Sequence, residues 1–179
     1  IEAAQAVRGD VDRGIRHVCH AIAARAVTYL DDPRLQGWAD ELNRRNSMAG
    51  ALTELLERWS RENGKPIVLL LDEVDALVGD TLISLLRQIR AGYAQRPRAF
   101  PQTVVLCGVR DVRDYRIHVA GQEIVTGGSA FNIKAESLRL GNFDADEVTT
   151  LYRQHTAETG QAFLPETLAR VWELTRGQP

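Results

Sequence analysis

No apolar run in this chain approaches the roughly 18 residues that cross a bilayer, and no basic-then-apolar leader opens it. Both absences make a cytoplasmic protein the expectation. Cysteine is scarce: Cys19 and Cys107 stand far apart in apolar surroundings, which reads as two buried thiols in a reducing compartment rather than a disulfide framework or a metal pair. Lysine is nearly missing, since only Lys65 and Lys134 accompany the arginines among 22 basic residues. The net charge is −2, so the concentrated positive charge that binds nucleic-acid phosphates is lacking and no nucleic-acid partner is expected. Repeats and low-complexity segments are absent too. What is present is 179 residues, enough for one domain with a small appendage. The 44% hydrophobic and 26% charged content suits a globular core.

Apolar spacing predicts a helix over residues 10–30, with Asp10 as N-cap and Ile15, Val18, Cys19, Ile22 and Val27 as its stripe. Asp31-Asp32-Pro33 ends it, because proline disfavours helical geometry in the residue before it. A second helix is expected over 46–61, with Met48, Leu52, Leu55, Leu56 and Trp59 inward and Gly64 as terminator. The period then changes. Residues 67–71 are uniformly apolar, which predicts a central parallel strand covered by helices on both faces. Asp80 is expected to cap the next helix, with Leu82, Leu85, Leu86 and Ile89 inward, and residues 103–109 to form a second strand, so that a βαβ unit results. Residues 118–130 read as loop and 131–140 as holding a third strand. Past Gly141 the chain turns helical: Asp144 caps a helix with Val148, Leu151, Tyr152 and His155 on one side. Pro165 begins another, with Leu168, Val171, Trp172 and Leu174 inward. The expected organisation is an α/β body, 1–141, followed by a small helical subdomain, 142–179.

The chemistry concentrates in Leu71-Asp72-Glu73-Val74-Asp75, where an apolar strand delivers acids at its carboxyl end, the place open α/β sheets bind ligands. The first carboxylate there can hold Mg²⁺, directly or through water, and the second can orient or deprotonate a water that attacks a γ-phosphate. Solvated acids at an ordinary strand-to-loop junction are the plainer reading of so short a pattern. A second strand ending Val104-Val105-Leu106-Cys107-Gly108-Val109-Arg110-Asp111 favours the functional one.

The order and spacing of these segments resemble the P-loop ATPases of the AAA+ and STAND group. The resemblance runs through residues 67–75, the helix 81–90, residues 103–111, the strand near 131–140 and the helical tail. Residues 87–93, 108–115 and 131–134 are similar to bacterial AAA-like ATPases, and together the segments cover most of 65–179. The resemblance implies a P-loop-type parallel sheet with a helical lid, ATP and Mg²⁺ as ligands, Asp72 as the metal-site carboxylate and Glu73 as the catalytic glutamate. It places Arg110 where STAND ATPases carry a sensor arginine, the small polar sensor of many AAA+ members being absent. Asp75 and Asp111, on the same strand tips, join the nucleotide-binding set. Gly177 and Pro179 match the Gly-x-Pro turn with which a STAND lid approaches adenosine.

One part is missing. A phosphate loop reads G-x-x-x-x-G-K-[ST], and Gly64-Lys65 fails it because Trp59 holds the earlier glycine position and Pro66 replaces Ser/Thr. Gly121…Gly127-Gly128-Ser129 lacks the lysine. The chain opens at Ile1 rather than Met, so the expectation is a piece of a larger ATPase whose loop lies upstream, inactive by itself, with other domains of that protein as partners. A nucleotide-dependent switch or a protein-interaction domain without turnover is the alternative. Loss of the loop's strand would leave an unpaired edge and favour self-association. Arg87, Arg90, Arg96, Arg98 and Arg113 are finger candidates that surface ion pairing explains as well. His17 and His20, although i, i+3, have no further ligand at matching spacing.

Overall fold

In the computed structural model, which describes residues 10–77, 79–109 and 138–178, the Asp10 carboxylate accepts a hydrogen bond from the Arg13 N–H (3.0 Å) and so caps α1, Val11–Leu30. Ile15, Val18, Cys19, Ile22, Ala23 and Ala26 form its buried face. Val27 leaves the expected stripe and is 40% exposed, because the next helical step from Ile22 falls on Ala26. Asp31, in the left-handed region at φ 53°, stops α1. A helix not anticipated from the sequence follows. This is α2, Arg34–Asn43, with Leu35, Trp38, Ala39 and Leu42 buried, and Arg34 and Arg58 lie 5.7 and 4.5 Å from the Trp38 ring centroid.

α3 runs Ala51–Glu62 and starts later than the apolar spacing implies. Gly50, at φ 78°, turns the chain into it, while Met48 stays buried outside the helix with its N–H donating to Asp12 Oδ1 at 2.7 Å. Leu52, Leu55, Leu56 and Trp59 are buried as the stripe requires. Asn63, in extended geometry, rather than Gly64 ends α3.

Strands β1, Val68–Leu71, and β2, Thr103–Leu106, pair in parallel with Val68 beside Thr103 and Leu71 beside Leu106. α4, Gly79–Gly92, makes the crossover, so the βαβ unit is present and the protein is mixed α/β, mostly helical, with a small two-stranded parallel sheet. Asp80 lies in the first turn of α4 instead of capping it. α1 packs on α2, α3 and α4, and their apolar faces share one core with Ile67, Leu69 and Leu71.

The opposite face of the sheet corrects the expectation of a doubly covered strand. Val68 is 57% exposed, Leu70 65% and Val105 38%. An unbroken apolar run states that both faces are apolar, and it does not supply the second layer that covers them. Among the described residues no further strand borders β1 or β2. The loop and most of the third strand expected over 118–140 lie outside the described residues, and residues 138–140 are irregular and exposed.

The chain divides into two compact units, 1–135 and 136–179. In the second, Asp144 and Glu147 form a reciprocal capping box at the start of α5, Ala145–Thr159. α6, Pro165–Thr175, begins on its proline. The Phe143 N–H donates to the Gly177 carbonyl at 2.8 Å, so the start of α5 meets the end of α6 and the pair is an antiparallel hairpin. Its inward set is smaller than expected: Val148 is buried, whereas Leu151 is 50% and Leu174 68% exposed. Two helices present only one mutual surface, and those side chains fall off it. Among the described residues no helix is long and apolar enough to cross a membrane.

Candidate functional site

The apolar run of β1 ends at Leu71 because its last buried side chain is followed directly by acids that need water. Two backbone hydrogen bonds tie the strand tips together there. The Cys107 N–H donates to the Leu71 carbonyl at 2.8 Å, and the Val74 N–H donates to the Cys107 carbonyl at 3.0 Å. Val74 and Leu77, 1% and 0% exposed, anchor the intervening 3₁₀ turn Val74–Ala76 in the core. Asp72 and Glu73 are thereby lifted into solvent, with Asp75 half-buried beside them.

The backbone at this tip is unusual. Glu73 adopts φ 56°, ψ 40°, left-handed geometry that costs a non-glycine residue of the order of 1 kcal/mol or more. Its N–H donates to Asp72 Oδ1 at 2.9 Å. Gly108, at the tip of β2, has no β-carbon to obstruct Asp75: one built there would lie 2.9 Å from Asp75 Oδ1 and 3.3 Å from Val74 Cγ2. Gly108 is not among the site residues expected from the sequence, although a glycine at a strand tip beside an acidic turn is a signal for close backbone approach. Cys107, between the two tips, is half-buried and free.

The structure thus brings Asp72, Glu73 and Asp75 to the carboxyl end of β1, with Gly108 of β2 beside them. Arg110, Asp111 and Pro179, like Arg113, lie outside the described residues. Gly177 belongs to the helical unit, where it has a structural task. At φ 74° it follows the left-handed Arg176, and a β-carbon on it would meet the Phe143 carbonyl oxygen at 1.8 Å. Arg87, Arg90 and Arg98 are exposed, and Arg96 stacks on the Tyr93 ring with its guanidinium carbon 3.7 Å from the centroid. His20 is held by the side-chain amides of Asn43 and Gln36.

Among the described residues no group of three His, Cys, Asp or Glu side chains could hold a metal ion. The acidic tip therefore does not fit a dedicated protein cage. Its hard oxygen donors do fit Mg²⁺ carried in by a nucleotide, which needs one or two carboxylates and takes its other ligands from phosphate and water. No protein-family model, curated protein or solved structure matches the chain.

Proposed function

We propose that this chain carries the acidic half of an ATP-binding domain of the P-loop AAA+/STAND type, the half that engages Mg²⁺ and the attacking water. The observation that carries the reading is the pairing of β1 and β2 in parallel across α4, with Asp72 and Glu73 at the carboxyl end of β1 and Glu73 in a strained left-handed conformation. Asp72 is the carboxylate that would hold the nucleotide's Mg²⁺, whose charge offsets that of the phosphates. Glu73, exposed like Asp72, orients a water and accepts its proton. Asp75, closely approached by Gly108, adds a third carboxylate at the strand tips. An ATPase of this type also needs a phosphate-gripping loop G-x-x-x-x-G-K-[ST], a pattern that residues 1–179 do not contain.

The test is Mg²⁺–ATP binding and turnover by the natural protein that contains this chain with its flanking sequence. Asp72→Ala is expected to remove most Mg²⁺-dependent ATP affinity. Glu73→Gln is expected to leave binding in place and slow hydrolysis by about a hundredfold or more. Absence of G-x-x-x-x-G-K-[ST] from the preceding sequence together with no measurable ATP binding would overturn the reading.

A further inference from the structure

We infer that two copies of this chain associate through the helical unit, each seating its α5 in the groove between α5 and α6 of the other. The groove is open and encloses about 530 Å³. Phe163, Leu168, Ala169 and Trp172 are among its apolar lining, and the exposed Asp146 and Arg153 line it too. The hairpin has too little interior to satisfy its own apolar side chains. Val148 is buried, but the groove-lining Tyr152, Phe163, Leu168 and Trp172 are only partly so, and Leu151, Leu164 and Leu174 elsewhere on the hairpin are at least half exposed. Two helices give one seam, and four give a core with inward positions on every helix.

Charge specifies the occupant. Asp146 and Arg153 lie two helical turns apart on one face of α5, about 10 Å along its axis. Neither side chain has an ion-pair partner among the described residues. A helix that answers them must offer a cation opposite Asp146 and, two turns away, an anion opposite Arg153. α5 itself does so when a second copy is laid antiparallel across it about a twofold axis near Thr149 and Thr150. Asp146 of each copy then faces Arg153 of the other, giving two reciprocal pairs in a self-complementary contact. The small side chains of Ala145, Thr149 and Ala169 allow the helices close approach at that crossing. This inference is independent of the nucleotide reading.

The experiment is sedimentation equilibrium of the full chain across a concentration series, with circular dichroism to verify that each variant is folded; both charged residues are exposed. The unaltered chain is expected to dimerise reversibly and less tightly as salt rises. Arg153→Asp sets like charges against each other and should weaken the dimer about tenfold or more. The swap Asp146→Arg with Arg153→Asp should restore it. In a Cys107→Ser background, Thr149→Cys should form a disulfide-linked dimer under mild oxidation, and adding Arg153→Asp should suppress it. A chain that is monomeric at every concentration, its groove covered from within or by another protein, overturns the inference. So does a dimer indifferent to Arg153→Asp, which would place association elsewhere, such as the exposed Val68 and Leu70 of the sheet. Failure of the charge swap to restore the dimer overturns it as well.

Discussion

Gly108 of the second strand's tip and Asp75 of the turn after the first are packed so closely that a β-carbon on Gly108 would stand 2.9 Å from Asp75 Oδ1. The contact joins the two halves of the candidate site through van der Waals exclusion instead of a hydrogen bond. Gly108→Ala therefore has to move the carboxylate. Because Asp75 is only half-buried and can rotate, the expected cost is about 1 kcal/mol, at the low end for overpacking. In an Asp75→Ala background that cost should shrink, leaving only the 3.3 Å approach to Val74 Cγ2. Urea denaturation of the four chains of this cycle measures the coupling, and additivity of the two changes would remove the contact from the account.

Gln88 caps a helix to which it does not belong. Its Oε1 accepts the Leu52 N–H at 2.9 Å, its Nε2 donates to Ser84 Oγ at 3.1 Å, and its carbonyl accepts from Thr53 Oγ1 at 2.8 Å. α3 starts behind Gly50 without any side-chain cap of its own, so this buried amide answers one of its first N–H groups. Gln88→Leu would strand the Leu52 N–H in a site 0% exposed and is expected to cost about 1–3 kcal/mol. Chemical denaturation gives the loss, and hydrogen exchange should place it at the first turn of α3. An unchanged Leu52 amide protection would contradict the assignment.

Burial pushes the Cys19 thiol from 9.0 up to about 12, against a smaller opposing effect of the Arg16 charge. The folded chain then keeps a proton that the unfolded chain releases above pH 9, so stability is intact below that pH and falls as pH climbs towards 12. The contribution of this group is about 1.4 kcal/mol per pH unit within that window. Cys19→Ala should flatten the alkaline slope by that one-proton share, whatever its effect at neutral pH. Thiol titration checks the same point from another side: half-buried Cys107 reacts in the native protein, and Cys19 reacts only on unfolding.

Local chemistry made much of the fold legible. Asp10 and Asp144 cap the helices that follow them, Pro165 opens α6, and the apolar faces of α3 and α4 are those the spacing specifies. The parallel β1–α4–β2 unit followed from one period giving way to another and back. Misreadings cluster where a local signal had two solutions. The spacing that extended α3 back to Met48 could not register that Gly50 turns the chain. Leu151 and Leu174 look like core residues beside their neighbours, yet a hairpin of two helices has no surface to receive them. α2 occupies a stretch to which the sequence reading gives no element, although Leu35, Trp38, Ala39 and Leu42 repeat at helical intervals, because Pro33 ends one helix and also stands at the entry of the next.

The sequence by itself determined that Asp72, Glu73 and Asp75 follow an apolar strand, because a run of leucines must end where carboxylates require water. Only the tertiary structure decided that Glu73 is held left-handed and that Gly108 stands against Asp75. Only it, too, showed that Gln88 finishes a helix thirty-six positions earlier and that Val68 and Leu70 on one face of the sheet are exposed. Those facts depend on which segments meet in space, and no periodicity within a segment encodes its partner across the core.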